Sequence, residues 1–197
     1  MLTNVDTIGL DKTGTLTQGQ PEVTQLIPAL GIESKLFLSL MLSLQQGSEH
    51  PLAEALLKEA KKQGVESEKA RFIKTLPGQG IQGRIEGELY WLGNEHLMME
   101  KEVYLSALND HVAALAAQGC SLSYLAEAKS QKILGLVAFS DQIKPRAKET
   151  IDRLIAMGIK TVLITGDHAG AAQKVAFELG IQEVYAEVLP AEKAHYI

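Results

Sequence analysis

Apolar residues along this chain follow different rhythms in different stretches. At the amino terminus, Val5-Asp6-Thr7-Ile8-Gly9-Leu10 is a short β-branched run, which predicts a buried parallel strand ending at Asp11. A turn over Gln18-Gly19-Gln20-Pro21 follows, then a short strand or linker from Glu22 to Ile27. Leu36, Phe37, Leu40, Met41 and Leu44 recur at helical spacing and predict a helix over 34–44. A second helix starts at Pro51, whose fixed φ suits a first turn, with Ser48 or His50 near the cap. Leu52, Leu56, Leu57 and Ala60 form its apolar face, and Gly64 is its stop.

The middle of the chain alternates with a period of two, as antiparallel sheets do. Candidate strands are 71–76, 81–85 and 88–92, separated by Pro77-Gly78-Gln79-Gly80 and Glu86-Gly87. A short helix over 94–99 and a longer one over 104–118 come next, the latter turning Leu105, Leu108, Val112 and Leu115 inward. Segments 121–128 and 132–139 form a hairpin turning at Lys129-Ser130-Gln131. From Ser140 helices and strands alternate: helix 144–157, strand 160–165, helix 169–179, strand 183–186 and a helix start at Leu189-Pro190. Such alternation signals a parallel sheet.

The first strand has the character of that last region, so the chain reads as α/β with an interruption. A discontinuous parallel-sheet domain comprises residues 1–25 and 140–197, and an inserted α+β antiparallel-sheet domain comprises residues 26–139. Connections through Thr24 and Ser140-Asp141 would act as a two-stranded hinge.

Composition narrows the function classes. With 197 residues there is material for two cores, and 46% hydrophobic against 22% charged residues is the balance of a soluble protein. A net charge of −5 and the lack of any Lys/Arg run argue against nucleic acid or an anionic membrane surface as partner. The single cysteine, Cys120, excludes a disulfide framework and reads as a small buried hydrophobe. The apolar run 133–139 is far below the ~18 residues that a spanning helix requires. A soluble, monomeric piece is expected.

Candidate chemistry concentrates in Asp11-Lys12-Thr13-Gly14-Thr15-Leu16-Thr17. It places a carboxylate at the carboxyl end of a strand, where open α/β sheets receive ligands, followed by a turn with free N–H groups. A carboxylate with a reference pKa near ~3.9 is ionised at neutral pH and can attack a phosphoryl group without a base, once cations offset the repulsion. Lys12 and a Mg²⁺ ion are the natural sources of that charge. An isolated Asp-x-Thr-Gly would be ordinary turn chemistry, but seven specified positions are not.

This heptapeptide resembles the phosphorylation signature of the P-type ATPases, ion pumps that pass through an aspartyl-phosphate. Two further elements match the family's pattern. Thr165-Gly166-Asp167, at the end of a strand and before a helix start, resembles the loop that positions the phosphoryl group. Lys193, in Leu189-Pro190-Ala191-Glu192-Lys193, resembles the lysine that neutralises charge on the transferred phosphoryl. The resemblance implies a haloacid-dehalogenase-like phosphorylation domain, with Mg²⁺ held by Asp11 and the Thr13 carbonyl. Related phosphatases carry a second aspartate two residues after the first; Thr13 cannot activate water as that acid does, so an acyl-phosphate should persist.

Within the insert, Ser48-Glu49-His50-Pro51 resembles the Ser-Glu-His-Pro of heavy-metal-transporting P-type ATPases, and Gly78-Gln79-Gly80 and Leu92-Gly93-Asn94 resemble the same subfamily's nucleotide-contacting stretches. The resemblance implies ATP contacts from Glu49, His50, Gly78, Gly80, Gly93 and Asn94, with the glycines letting nucleotide approach backbone. The subfamily usually has a glutamate five residues before the histidine; here Gln45 stands there, an amide that both donates and accepts. The wording around the motifs is most like that of copper exporters, with zinc, cadmium and lead pumps next.

The implied whole is a pump at the cytoplasmic face of a membrane, with its own membrane and actuator domains and a transported heavy-metal ion as partners. The family's next motif, Gly-Asp-Gly-x-Asn-Asp, does not occur before Ile197. The expectation is a fragment that lacks the last strand of its sheet and binds ATP with little or no phosphoryl transfer. A free-standing phosphatase of the haloacid-dehalogenase class and a module that only binds nucleotide are the alternatives.

Overall fold

The computed structural model describes residues 5–166 and 169–188. They divide into two compact units. One holds the chain up to Gln20, Ala116–Cys120 and everything from Asp141 onward; the other holds Pro21–Leu115 and Ser121–Ser140.

The first unit is built on three parallel strands: β1 (Thr7–Leu10), β8 (Lys160–Ile164) and β9 (Glu183–Tyr185), in the order β1-β8-β9. β1 pairs with β8 from Thr7 opposite Lys160 to Leu10 opposite Leu163. Two helices follow the strand–helix rhythm of the sequence, α5 (Ala147–Ala156) and α6 (Ala169–Leu179). Ile151, Leu163, Ala172, Ala176 and Leu179 are buried together with Leu16. Taking a side chain such as Ile151 or Leu163 out of water contributes about 1.5–3 kcal/mol each, which is what holds the helices to the sheet.

The second unit carries a six-stranded sheet in the order β2-β7-β6-β5-β4-β3. Its strands are β2 (Thr17–Pro28), β3 (Ala70–Leu76), β4 (Gly80–Ile85), β5 (Glu88–Gly93), β6 (Ser121–Glu127) and β7 (Lys132–Ile143), with antiparallel pairing from β3 to β7. α1 (Ser34–Leu44) and α2 (Pro51–Gln63) pack on it through Phe37, Met41, Leu44 and Leu56 against Ile85, Leu125 and Val137. Of the two caps the sequence offers, His50 is the one at the α2 N-terminus: its Nδ1 accepts from the Leu52 N–H at 3.2 Å, and Gly64 closes the helix in the left-handed conformation. α3 (Glu95–Glu100) starts at Asn94, whose Oδ1 accepts from the Leu97 N–H.

Four elements differ from expectation, one of them β7, which runs four residues beyond the expected strand over 132–139. β2 is twice the length expected and begins inside the segment that composition marks as a turn. It is the sheet's edge strand, where Pro21 costs no ladder bond, and Asp141 accepts the N–H groups of Gly19 and Gln20 at 3.2 Å each. The helix expected over 104–118 shortens to α4 (Asn109–Ala117) after a single tight turn over Ser106–Leu108; Leu108 and Leu115 are buried, whereas Leu105 and Val112 are only half-buried. α5 starts three residues late, and the Lys144 N–H before it donates to the Leu16 carbonyl. Cys120 is half-buried rather than buried. Among the described residues no helix is long and apolar enough to cross a membrane.

Candidate active site and ligand cavity

In the first unit, Asp11 follows β1 directly and is exposed, with an extended backbone (φ −78°, ψ 151°). Lys12–Leu16 then makes a wide turn closed by the Thr17 N–H donating to the Lys12 carbonyl. Gly14 sits at φ 77°, a conformation that few residues other than glycine adopt cheaply. Thr13 and Gly14 are exposed and Lys12 is half-buried.

Thr165 lies at the end of β8, the strand neighbouring β1, and is 2% exposed. Its N–H donates to the Tyr185 carbonyl at 2.9 Å and its carbonyl accepts from the Val188 N–H at 3.0 Å, so its backbone is fixed from the β9 side. Because Leu10 faces Leu163 across the ladder, Asp11 and Thr165 emerge from adjacent strand ends at the same edge of one sheet. Gly166 is exposed beside Thr165. Asp167 and Lys193 lie outside the described residues.

Two residues that motif reading did not single out hold the Asp11 turn in shape. Thr17 is fully buried, and its hydroxyl lies 2.5 Å from Asp141 Oδ2 and 3.1 Å from the Lys12 carbonyl. Lys144 donates its ammonium to the Gly14 carbonyl at 2.5 Å. Residues 141–144 thus clasp the turn from both sides. The only signal for this in the sequence is that Asp141 and Lys144 directly follow the last apolar strand, a position that charged residues occupy routinely.

The second unit contains a cavity of about 420 Å³. His50, Gly78, Gly80, Gly93 and Asn94 line it, as do Gln45, Thr75 and Ser123; Glu49 is exposed and is not part of its wall. Two of the glycines, Gly80 and Gly93, also serve the fold itself. A Cβ on Gly80 would lie 2.2 Å from the Leu92 carbonyl oxygen, and one on Gly93 would lie 2.2 Å from that of Gln79. Their missing side chains face protein backbone, letting the 78–80 turn press onto the end of β5 and form the wall. Asn94 ties the same two segments, since its Nδ2 donates to the Gly78 carbonyl at 2.9 Å. Gln79 is anchored outside by donating to Glu100 at 2.8 Å, and Lys101, with Gln79 second, holds the Glu100 carboxyl below the usual carboxylate range.

Comparison with known proteins agrees with this geometry. The family model "haloacid dehalogenase-like hydrolase" matches residues 5–197. A copper-exporting P-type ATPase of Staphylococcus haemolyticus is 39% identical over 193 residues, covering 98% of this chain but 23% of that protein. The chain thus spans about a quarter of the length of the curated relatives it matches. A solved zinc-transporting PIB-type ATPase superposes with a TM-score of 0.78 at 32% identity, over 98% of this chain and 31% of the other. A solved catalytic CPx-ATPase domain, CopB-B, gives 0.73 at 27% identity, over 98% of this chain and 65% of the other. The fold is therefore that of P-type ATPase catalytic domains, and the chain belongs to the haloacid dehalogenase-like hydrolases.

Proposed function

We propose that this chain is the ATP-binding and phosphorylation region of a heavy-metal-translocating P-type ATPase, with Cu⁺ as the ion. The observation that carries the reading is the convergence of the Asp11 turn and Thr165 on one sheet edge, in a chain whose relatives are copper pumps. Those relatives, and threonine rather than aspartate at position 13, favour this over a free-standing phosphatase. In this reading residues 1–25 and 140–197 act as the phosphorylation domain and 26–139 as the nucleotide-binding domain, at the cytoplasmic face of a membrane.

The chemistry follows from the residues. An Asp11 carboxylate oxygen attacks the γ-phosphorus of ATP; the bond from that phosphorus to the bridging oxygen breaks, and ADP leaves with the electron pair. The Thr165-Gly166-Asp167 loop positions the phosphoryl group, and Lys12 and Lys193 offset its charge. The donors here are oxygens, and among the described residues no three His, Cys, Asp or Glu side chains gather to hold a metal by themselves. That suits Mg²⁺, which takes one or two carboxylates and completes its shell from phosphate and water; Asp11 and the Thr13 carbonyl would hold it. When bound, Mg²⁺ supplies positive charge between the carboxylate and the phosphates.

Nucleotide titration by calorimetry tests the reading. His50→Gln should weaken ATP binding about tenfold, the worth of one lost polar or stacking contact, whereas Asp11→Asn should bring no loss. Unchanged affinity in the His50 variant, or abolished binding in the Asp11 variant, would overturn it.

A further inference from the structure

β3 is an edge strand of the six-stranded sheet, and its pairing with β4 breaks at a bulge between Arg71 and Lys74. Phe72 sits in that bulge with φ 53° and is 81% exposed. The other described non-glycine residues with a left-handed φ are Glu86, Glu102, Gln131 and Glu187, and they lie between elements; among the described residues Phe72 alone lies inside a strand. Glycine makes such a bulge without strain, so the fold by itself has no use for a phenyl ring there. Strain kept at a solvent-facing aromatic points to a task for the ring.

The charges beside it also work against the sheet. Arg71 stands directly opposite Arg84 across the ladder, a relation in which like charges destabilise. Ala70 and Ile85, their neighbours along the two strands, pack into the core under α1 and α2, so both guanidinium groups project from the other face. Among the described residues neither arginine, nor Lys69, has an ion-pair partner. Arg84 is oriented by donating from Nη1 to the Gly87 carbonyl at 2.6 Å. Cationic side chains on an edge strand guard against pairing between copies, but that role does not call for the ring.

Lys69, Arg71, Phe72 and Arg84 wall a cavity of about 610 Å³ that shares no residue with the one of 420 Å³. Glu68 and Glu86 line it as well. Their charge is felt by Tyr90, whose phenol is pushed up by burial and then by Glu127, Glu88, Glu68 and Glu86. Tyr90 packs on the α1 side, so the negative charge falls there and the positive charge on the opposite face. Paired guanidinium groups grip a phosphoryl dianion through parallel N–H donors, and a flat group stacks on an exposed phenyl ring. The space is that of a small-molecule site. From this juxtaposition we infer a second ligand site at the β3–β4 edge, for a phosphate ester carried on a planar apolar group: the phosphoryl lies between Arg71 and Arg84, and the planar group lies on the Phe72 ring. The inference does not depend on the nucleotide reading of the other cavity.

NMR titration of the full 197-residue chain with phenyl phosphate and, separately, inorganic phosphate tests this. Phenyl phosphate should shift the amides of 71–73 and 84–87, leave those of Gly78, Gly93 and Asn94 in place, and bind at least about tenfold tighter than inorganic phosphate. Arg71→Gln should weaken phenyl phosphate by about fivefold or more without lowering the urea midpoint, because it removes a like-charge opposition. Phe72→Gly should abolish the advantage of phenyl over inorganic phosphate and leave the urea midpoint unchanged or higher, because the left-handed backbone is then relieved. No binding of phenyl phosphate, equal affinity for the two phosphates, or shifts at Gly78, Gly93 and Asn94 instead overturns the inference. So does a Phe72→Gly chain that keeps the preference. A lower urea midpoint in either variant overturns it too, by assigning these residues to the fold.

Discussion

Single residues divide here between those that touch a ligand-sized space and those that shape it. Gly80 and Gly93 belong to the second kind, because the clash that a Cβ would make is with carbonyl oxygens that cannot step aside. Gly93→Ala should cost about 1–3 kcal/mol, the usual range for overpacking, read as a lower urea midpoint with an unchanged slope. Glu100 supports the same turn from outside. Its carboxyl is lowered below the ordinary 4.5 by the hydrogen bond from Lys101 and then by that from Gln79. A group lowered in the folded state contributes stability that is fully present above the unfolded value and lost as pH falls through the folded one. The difference in urea midpoint between the parent and Glu100→Gln should therefore be constant at neutral pH and shrink only in acid below 4.5. Of the residues picked out by motif, His50, Gly78, Gly80, Gly93 and Asn94 do share one cavity, whereas Glu49 stays outside it. Motifs are read along the chain, and adjacency there does not say which side chain of a capping turn faces the cavity.

At the scale of elements, the informative feature is the clasp from the end of β7 onto the Asp11 turn. Thr17 is fully buried, so removing its carboxylate partner leaves a hydroxyl without its strongest acceptor. Asp141→Ala should cost about 1.5–3 kcal/mol in thermal unfolding, the worth of a hydrogen bond to a charged group, because the hydroxyl can still turn to the Lys12 carbonyl. It should also speed amide exchange at Gly19 and Gln20, whose N–H groups lose the same acceptor. Protection there equal to the parent's would show the clasp to be idle. Local signals reached many elements closely: α1, α2, β4, β5 and β8 lie within a residue or so of expectation, because periodicity, Pro51, Gly64 and Asn94 act within a few positions of themselves. They failed at β2, where a Gly-Gln-Pro segment that looks like a turn is drawn out as an edge strand by a partner more than a hundred residues away.

For the molecule as a whole, the two units have separate apolar cores, one around Phe37, Met41, Leu125 and Phe139 and the other around Ile151, Leu163, Ala172 and Leu179. Each core can melt cooperatively, so calorimetry should resolve two transitions rather than one. If the cavity is the nucleotide site, ATP at a hundred times its Kd should stabilise the inserted unit by about 2.7 kcal/mol, raising only its transition. A single transition that moves as one with ATP would count against both statements.

What the sequence determined by itself is whatever acts locally: the strand and helix periods, the caps at His50 and Asn94, and the placing of Asp11 just past a strand, which in the fold is half-buried rather than buried. Those signals need only neighbours within a turn or two. Tertiary structure alone decided that Asp141 and Lys144 grip the Asp11 turn, that Gly80 and Gly93 face each other's backbone, and that Gln45 joins the cavity wall. Each of these depends on segments that meet only after the sheets have formed, and a hydrogen-bond partner more than a hundred positions away leaves no periodic trace in the chain.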